Sequence, residues 1–207
     1  MKPWLFDILA CPIDKHFPLK LYIFSYETKN DEFKAILNIF KKRDLNQIEK
    51  ENYIKVFREN GKILVQDNII LEKTPLLSYL ELIASSINEL DNIFDLSGLE
   101  MSKNLLENIK TVIYQKVKDF IKYSKEKDID ELLPELITLN KYKFEIEIET
   151  GIIFCPQCNR WFPIIDTIPQ MLPDEYREEK EEVEFLKMNK NLLNEEFFHQ
   201  DLKPFTV

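Results

Sequence analysis

Glycine is nearly missing from this chain: Gly61, Gly98 and Gly151 are the only three in 207 residues. Glycine-rich phosphate loops and dinucleotide fingerprints need several glycines at short spacing. Nucleotide-binding enzymes of those kinds are therefore excluded. Histidine is rarer still, with His16 and His199 alone, which leaves little from which to build a catalytic metal pocket with an open position and a base beside it. Positive charge is also short. The formal net charge is −9, and Lys41, Lys42 and Arg43 form the densest basic cluster. No basic stripe exists to release counterions from phosphates, so autonomous nucleic-acid binding is disfavoured. A role beside a basic, RNA-handling partner is left open, since opposite charge would steer that association. No apolar run approaches a membrane span, and Met1–Asp7 is too short an apolar stretch for a secretory signal.

Cysteine occurs three times, at Cys11, Cys155 and Cys158. Three thiols, two of them in one Cys-x-x-Cys pair, do not make the disulfide framework of a secreted domain. A cytoplasmic location is expected, with the thiols reduced and available to metal. What remains is ordinary for a folded protein: 44% hydrophobic and 31% charged residues, in a length that suits one large domain or two small ones.

The two ends of the chain read as β-rich. Residues 4–10 form a short apolar helix or turn leading into Cys11, and Phe17 to Tyr26 is a strand rich in aromatics and isoleucine. Residues 141–150 alternate Phe144, Ile146 and Ile148 with Glu145, Glu147 and Glu149, which predicts a half-buried strand with a charged outer face. Thr150-Gly151 is expected to turn, Ile152 to Phe154 to run as a further strand into Cys155, and Trp161 to Ile165 to form another.

The middle reads as helical. Phe33, Ile36, Leu37 and Phe40 recur at helical spacing over 31–42, and Leu76 to Ile87 repeat it over 75–94 with Pro75 in the first turn. The strongest stripe runs from Leu105 through Ile109, Ile113 and Val117 to Ile121, with Ser102 as the expected cap. A shorter helix is expected near Ile129–Leu139 despite Pro134, and a strand pair around Asp67-Asn68 within 62–72. After Pro173 an acidic, exposed helix is expected over 174–193, with a weak stripe of Val183, Leu186 and Leu193. The tail beyond it carries Phe197, Phe198 and Phe205, anchors either for the chain's own surface or for a partner.

Cys155-Pro156-Gln157-Cys158 has the two-residue gap that lets two thiolates bite one ion, and Pro156 stiffens the turn. Cys11 with His16 offers a second, looser bite; Asp14 competes with His16 for the fourth position, and His199 is a distant further possibility. A redox role for the Cys-Pro-x-Cys pair would place its first cysteine at a helix N-terminus. Here Asn159 to Pro163 reads as turn then strand, which favours metal. With so few polar groups near, the expected ion is a structural zinc that joins the chain ends and contributes folding energy.

Three segments together resemble the small zinc-binding activator subunit shared by several methyltransferases that act on tRNA, rRNA and translation release factors. They are Met1 to Pro12 (MKPWLFDILACP), Phe17-Pro18-Leu19, and Gly151 to Leu172 with its Cys-x-x-Cys knuckle, aromatic-Pro-Ile strand and Ile-Pro-x-Met-Leu. The resemblance implies a small β-rich zinc-binding domain from both chain ends (1–30 plus 141–173) around a mainly helical insertion (31–140), an α+β fold; the acidic helix and tail over 174–207 are extra to it. It implies zinc on Cys11, His16, Cys155 and Cys158, with His16 a departure from cysteine. It also implies a non-catalytic subunit in a heterodimer with a class I, S-adenosylmethionine-dependent methyltransferase, touching RNA only through that partner. Docking is expected through Phe6, Ile8, Phe162, Ile164, Ile168, Pro169, Met171 and Leu172, about half of which general burial rules would place inside. The alternative is a stand-alone zinc-ribbon nucleic-acid module or a thiol- or zinc-dependent enzyme.

Overall fold

The computed structural model of the chain describes residues 1–43, 53–59, 61–123 and 128–206. In chain order its strands are β1 Lys20–Tyr26, β2 Lys55–Glu59, β3 Lys62–Gln66, β4 Thr74–Pro75, β5 Ile93–Asp95, β6 Ile148–Phe154, β7 Trp161–Ile165 and β8 Ile168–Pro169. With the helices between them, the fold is α+β. Two compact units form: Met1–Thr28, Asn92–Leu99 and Glu147–Val207 make one, Lys29–Asp91 and Glu100–Ile146 the other.

The first unit is a five-stranded sheet in the order β5-β1-β6-β7-β8. β1, β6, β7 and β8 pair antiparallel in turn, whereas β5 runs parallel to β1 with Leu21 opposite Ile93. β5 comes from the middle of the sequence, just past a helix that ends at Glu89 rather than continuing to 94. Thr150-Gly151 is not a turn. Both residues lie inside β6, where Gly151 pairs with Ile23 on one side and Ile164 on the other. A Cβ on Gly151 would stand 2.5 Å from the Tyr22 carbonyl oxygen, so glycine is what lets β1 and β6 close.

Strand alternation gives the sheet two apolar faces. Leu21, Ile23, Ile153, Phe162 and Ile164 are buried on one. On the other, Phe24, Ile152, Phe154 and Trp161 pack against Phe185, Leu186, Leu193, Phe197 and Leu202 of the C-terminal segment. The acidic stretch is therefore an amphipathic helix, Glu179–Met188, with Phe185 and Leu186 turned inward. Phe197 stands edge-on to Tyr22 at 5.4 Å and tilts against Phe154 at 5.4 Å, so it anchors the chain's own sheet. Each such buried side chain is worth about 1.5–3 kcal/mol. Exposed ion pairs, such as Lys203–Asp201 at 3.3 Å, are worth about 0–1 kcal/mol. Apolar burial therefore contributes more to holding the segment down than these exposed pairs do.

The second unit is mainly helical, with a three-stranded sheet β2-β3-β4. Helix Asn30–Lys42 matches the sequence expectation. The predicted 141–150 strand does not form: helix Leu133–Glu145 runs through its first half, and β6 begins only at Ile148. Phe144, Ile146 and Ile148 alternate in sequence because a helix end and a strand start happen to abut. The helix tolerates Pro134 because it sits in the first turn, where no backbone donor is needed. The long stripe also differs from a plain helix. It starts at Glu100, so Ser102 is buried in the first turn rather than capping, and a π-helical stretch spans Ile109–Ile113. That widened turn rotates the face and leaves Val112 exposed. The pair expected within 62–72 forms with its second strand later than expected, as β3 with β4 at Thr74–Pro75, across a loop closed by the Asp67 carboxylate. Asp67 accepts from Ile69 and Ile70 N–H and from the hydroxyl of Tyr79.

Candidate metal centre

The second knuckle is the β6–β7 turn. Cys155 follows β6 directly and Arg160 precedes β7. Within it, Cys155 N–H donates to the Arg160 carbonyl at 2.8 Å and Asn159 N–H donates to the Cys155 carbonyl at 2.9 Å. The first knuckle repeats this pattern. Cys11 N–H donates to His16 O at 3.0 Å and Lys15 N–H to Cys11 O at 2.9 Å. Lys15 and Asn159 both take left-handed backbone, φ 61° and 57°. Position by position, Asp14 therefore corresponds to Cys158, and His16 to Arg160. Pairing of Lys20 with Phe154 sets the start of β1 beside the end of β6 and brings the two knuckles together.

The four groups that meet are Cys11, Asp14, Cys155 and Cys158, with ligand atoms all within 4.8 Å of one another. Cys11 and Cys158 sulfurs are 3.7 Å apart, and Cys155 sulfur lies 3.6 Å from each Asp14 oxygen. Zinc–sulfur bonds near 2.3 Å and zinc–oxygen bonds near 2.0 Å in a tetrahedron require edges of about 3.5–3.8 Å. The residues fit a metal of that size. All three cysteines are free, and 3.7 Å is far from a disulfide bond.

His16 is not in this group. It contributes its carbonyl to the turn, and its N–H donates to Asp14 Oδ1 at 3.0 Å, steadying the carboxylate. His199 is exposed and also stands outside the cluster.

The electrostatics of the cluster would suit a cation. Burial pushes the Cys11 thiol up to about 12 and raises Cys155 as well. For Asp14, burial pulls upward, but hydrogen bonds from the Cys11 thiol, the His16 N–H and the other two thiols outweigh it and hold the carboxyl below its ordinary range. Burial thus favours the neutral form of Cys11 and Cys155, and a divalent ion bound there would require them as thiolates. Arg160 lies two residues after Cys158, at the end of the second knuckle. The Asp174 carboxylate, which accepts from its Nε and Nη2, holds Arg160 charged against some burial.

Of the expected docking residues, Ile8 (68% exposed), Ile168 (59%) and Leu172 (42%) face solvent, and Pro169 and Met171 are half-buried. Phe6, Phe162 and Ile164 lie in the chain's own interior. Phe162 and Ile164 share the inner face of β7, opposite Ile153 and Gly151 of β6. Trp4, Ile13 and Phe17, flanking the first knuckle, are exposed apolar residues that the sequence reading did not single out.

Among the described residues, no helix is long and apolar enough to cross a membrane. No curated protein and no solved structure matches the chain. The family model of Trm112p-like protein matches residues 2–166. The chain belongs to that family, the activator subunits of methyltransferases.

Proposed function

We propose that this protein is the non-catalytic activating and stabilising subunit of one or more class I, S-adenosylmethionine-dependent methyltransferases that act on tRNA, rRNA or translation factors. The observation that carries the reading is the family match, which spans both metal knuckles and the unit between them. The four-ligand cluster supports it as a closed centre: two knuckles from opposite ends of the sequence supply all four groups. Cys11, Asp14, Cys155 and Cys158 would hold zinc, which supplies folding energy and fixes the turn geometry rather than reacting with substrate. The exposed Ile8, Ile168 and Leu172 belong to the same unit as the cluster and are the residues assigned to the partner. β8, two residues long and at the sheet edge, adds unpaired backbone groups that a partner strand can use. A cytoplasmic site of action accords with thiols that must stay reduced to bind metal.

The test is co-expression with class I methyltransferases. The expected result is a 1:1 complex in which the enzyme's solubility or methyl transfer is raised. If no candidate enzyme forms such a complex, while the purified protein binds RNA or acts on a substrate alone, the reading fails.

A further inference from the structure

Residues 174–206 lie beyond the 2–166 span of the family match, yet the segment grips the metal knuckle at two separate points. At its start, the Asp174 carboxylate accepts from Arg160 Nε at 3.1 Å and from Nη2 at 2.8 Å. Near its end, Lys203 bridges to Arg160 in parallel fashion. Lys203 N–H donates to Asn159 O at 2.9 Å, and Trp161 N–H donates to Lys203 O at 3.2 Å. The Trp161 indole N–H adds a bond to Phe205 O at 3.0 Å. β8 pairs with β7 only at Ile164 and Ile165, so the edge of β7 nearest the knuckle is filled by Lys203 and by Arg177, whose Nη2 donates to Trp161 O at 2.7 Å. Residues 159–161, immediately after ligand Cys158, are thus fixed by the segment through side chain and backbone alike.

We propose that the C-terminal segment and metal binding are coupled through Arg160: docking of the segment retains the ion, and the ion retains the segment. The inference rests on the metal reading of the four-residue cluster. Three thiolates and a carboxylate around one divalent cation would leave excess negative charge, which a guanidinium in the same turn as Cys158 offsets. Arg160 is that guanidinium, and Asp174 sets its orientation by holding two edges of its fork. Removing Asp174 frees Arg160 to swing away, and outer-shell partners of this sort typically change metal affinity about 10–100-fold. Reciprocity follows from linkage: whatever the segment adds to metal affinity, the metal adds to docking of the segment. Arg160 and Asp174 are positioning residues for the centre, not ligands.

The experiment uses the full chain loaded with Zn²⁺ and follows release to a chromogenic chelator, with zinc content by elemental analysis. Asp174→Asn is expected to speed release about tenfold or more. Arg160→Lys, which keeps the charge but loses the fork, should do the same. Asp201→Asn removes a carboxylate from the same segment at an exposed site and should release zinc at the parental rate. Limited proteolysis should cut the segment faster in zinc-loaded Asp174→Asn than in the zinc-loaded parent. A folded Asp174→Asn protein that holds zinc within about twofold of the parent and protects its segment equally overturns the coupling while leaving the metal reading intact. A parent protein that takes up no stoichiometric zinc overturns both.

Discussion

Asp14 stands three residues after Cys11 as Cys158 stands three residues after Cys155, in turns closed by the same pair of backbone hydrogen bonds. The cluster is thus built from two copies of one turn, and the fourth ligand follows from that repeat rather than from residue type alone. Three soft sulfurs and one hard oxygen would hold zinc less tightly than four sulfurs would.

Substitutions at the fourth position should separate Asp14 from His16. Asp14→Ala is expected to weaken Zn²⁺ binding at least tenfold, and Asp14→Cys to tighten it. His16→Ala should leave one equivalent of zinc bound. Competition with a chelator of known affinity measures all three, and Co²⁺ substitution should show the charge-transfer bands of three thiolates in the parent protein.

Metal binding should depend on pH through the thiols. In the metal-free chain, burial raises Cys11 to about 12, so the neutral thiol is the form the fold prefers. A raised pKa contributes stability fully below the ordinary thiol value and loses it as pH climbs toward 12. The ion demands the opposite protonation state, so binding releases protons. Apparent zinc affinity should therefore rise between pH 6 and 8, and calorimetry in buffers of different ionisation enthalpy should count the protons released.

Docking residues and core residues should divide cleanly. Ile168→Asp and Ile8→Asp place charge on exposed positions and should abolish co-purification with a methyltransferase while leaving zinc content and the thermal midpoint close to the parent's. Phe162→Ala should behave differently. It empties a fully buried site and should cost about 3–5 kcal/mol of stability, measured by urea unfolding.

Gly151→Ala tests the close approach of β1 and β6. Its added methyl meets the Tyr22 carbonyl oxygen, which is backbone and cannot rotate away. A loss of about 1–3 kcal/mol is expected from the forced backbone shift, read as a lower urea midpoint with unchanged slope.

Much of the site was legible in the sequence because its information is local. A Cys-Pro-x-x spacing fixes a tight turn whatever surrounds it, so Cys11, Cys155, Cys158 and the competing Asp14 could be named directly. Helix Asn30–Lys42 and strand β7 were equally plain, since each carries its own period. Residues 141–150 misled for the converse reason. Their alternation is short enough to span a helix end and a strand start, and only burial on every side of Leu133–Glu145 makes the helix win.

By itself, then, the sequence determined the α+β class, the family, and the two knuckles that hold the candidate ligands. Tertiary structure decided which groups converge, with Asp14 inside the cluster and His16 outside it. It also decided that Ile93–Asp95 joins the sheet from mid-chain and that Phe162 and Ile164 face inward while Ile168 faces out. The C-terminal segment likewise covers a sheet face and reaches the knuckle at Arg160. Turn geometry depends on neighbours in the chain, whereas the covering of a face depends on pairing and packing between residues far apart in sequence.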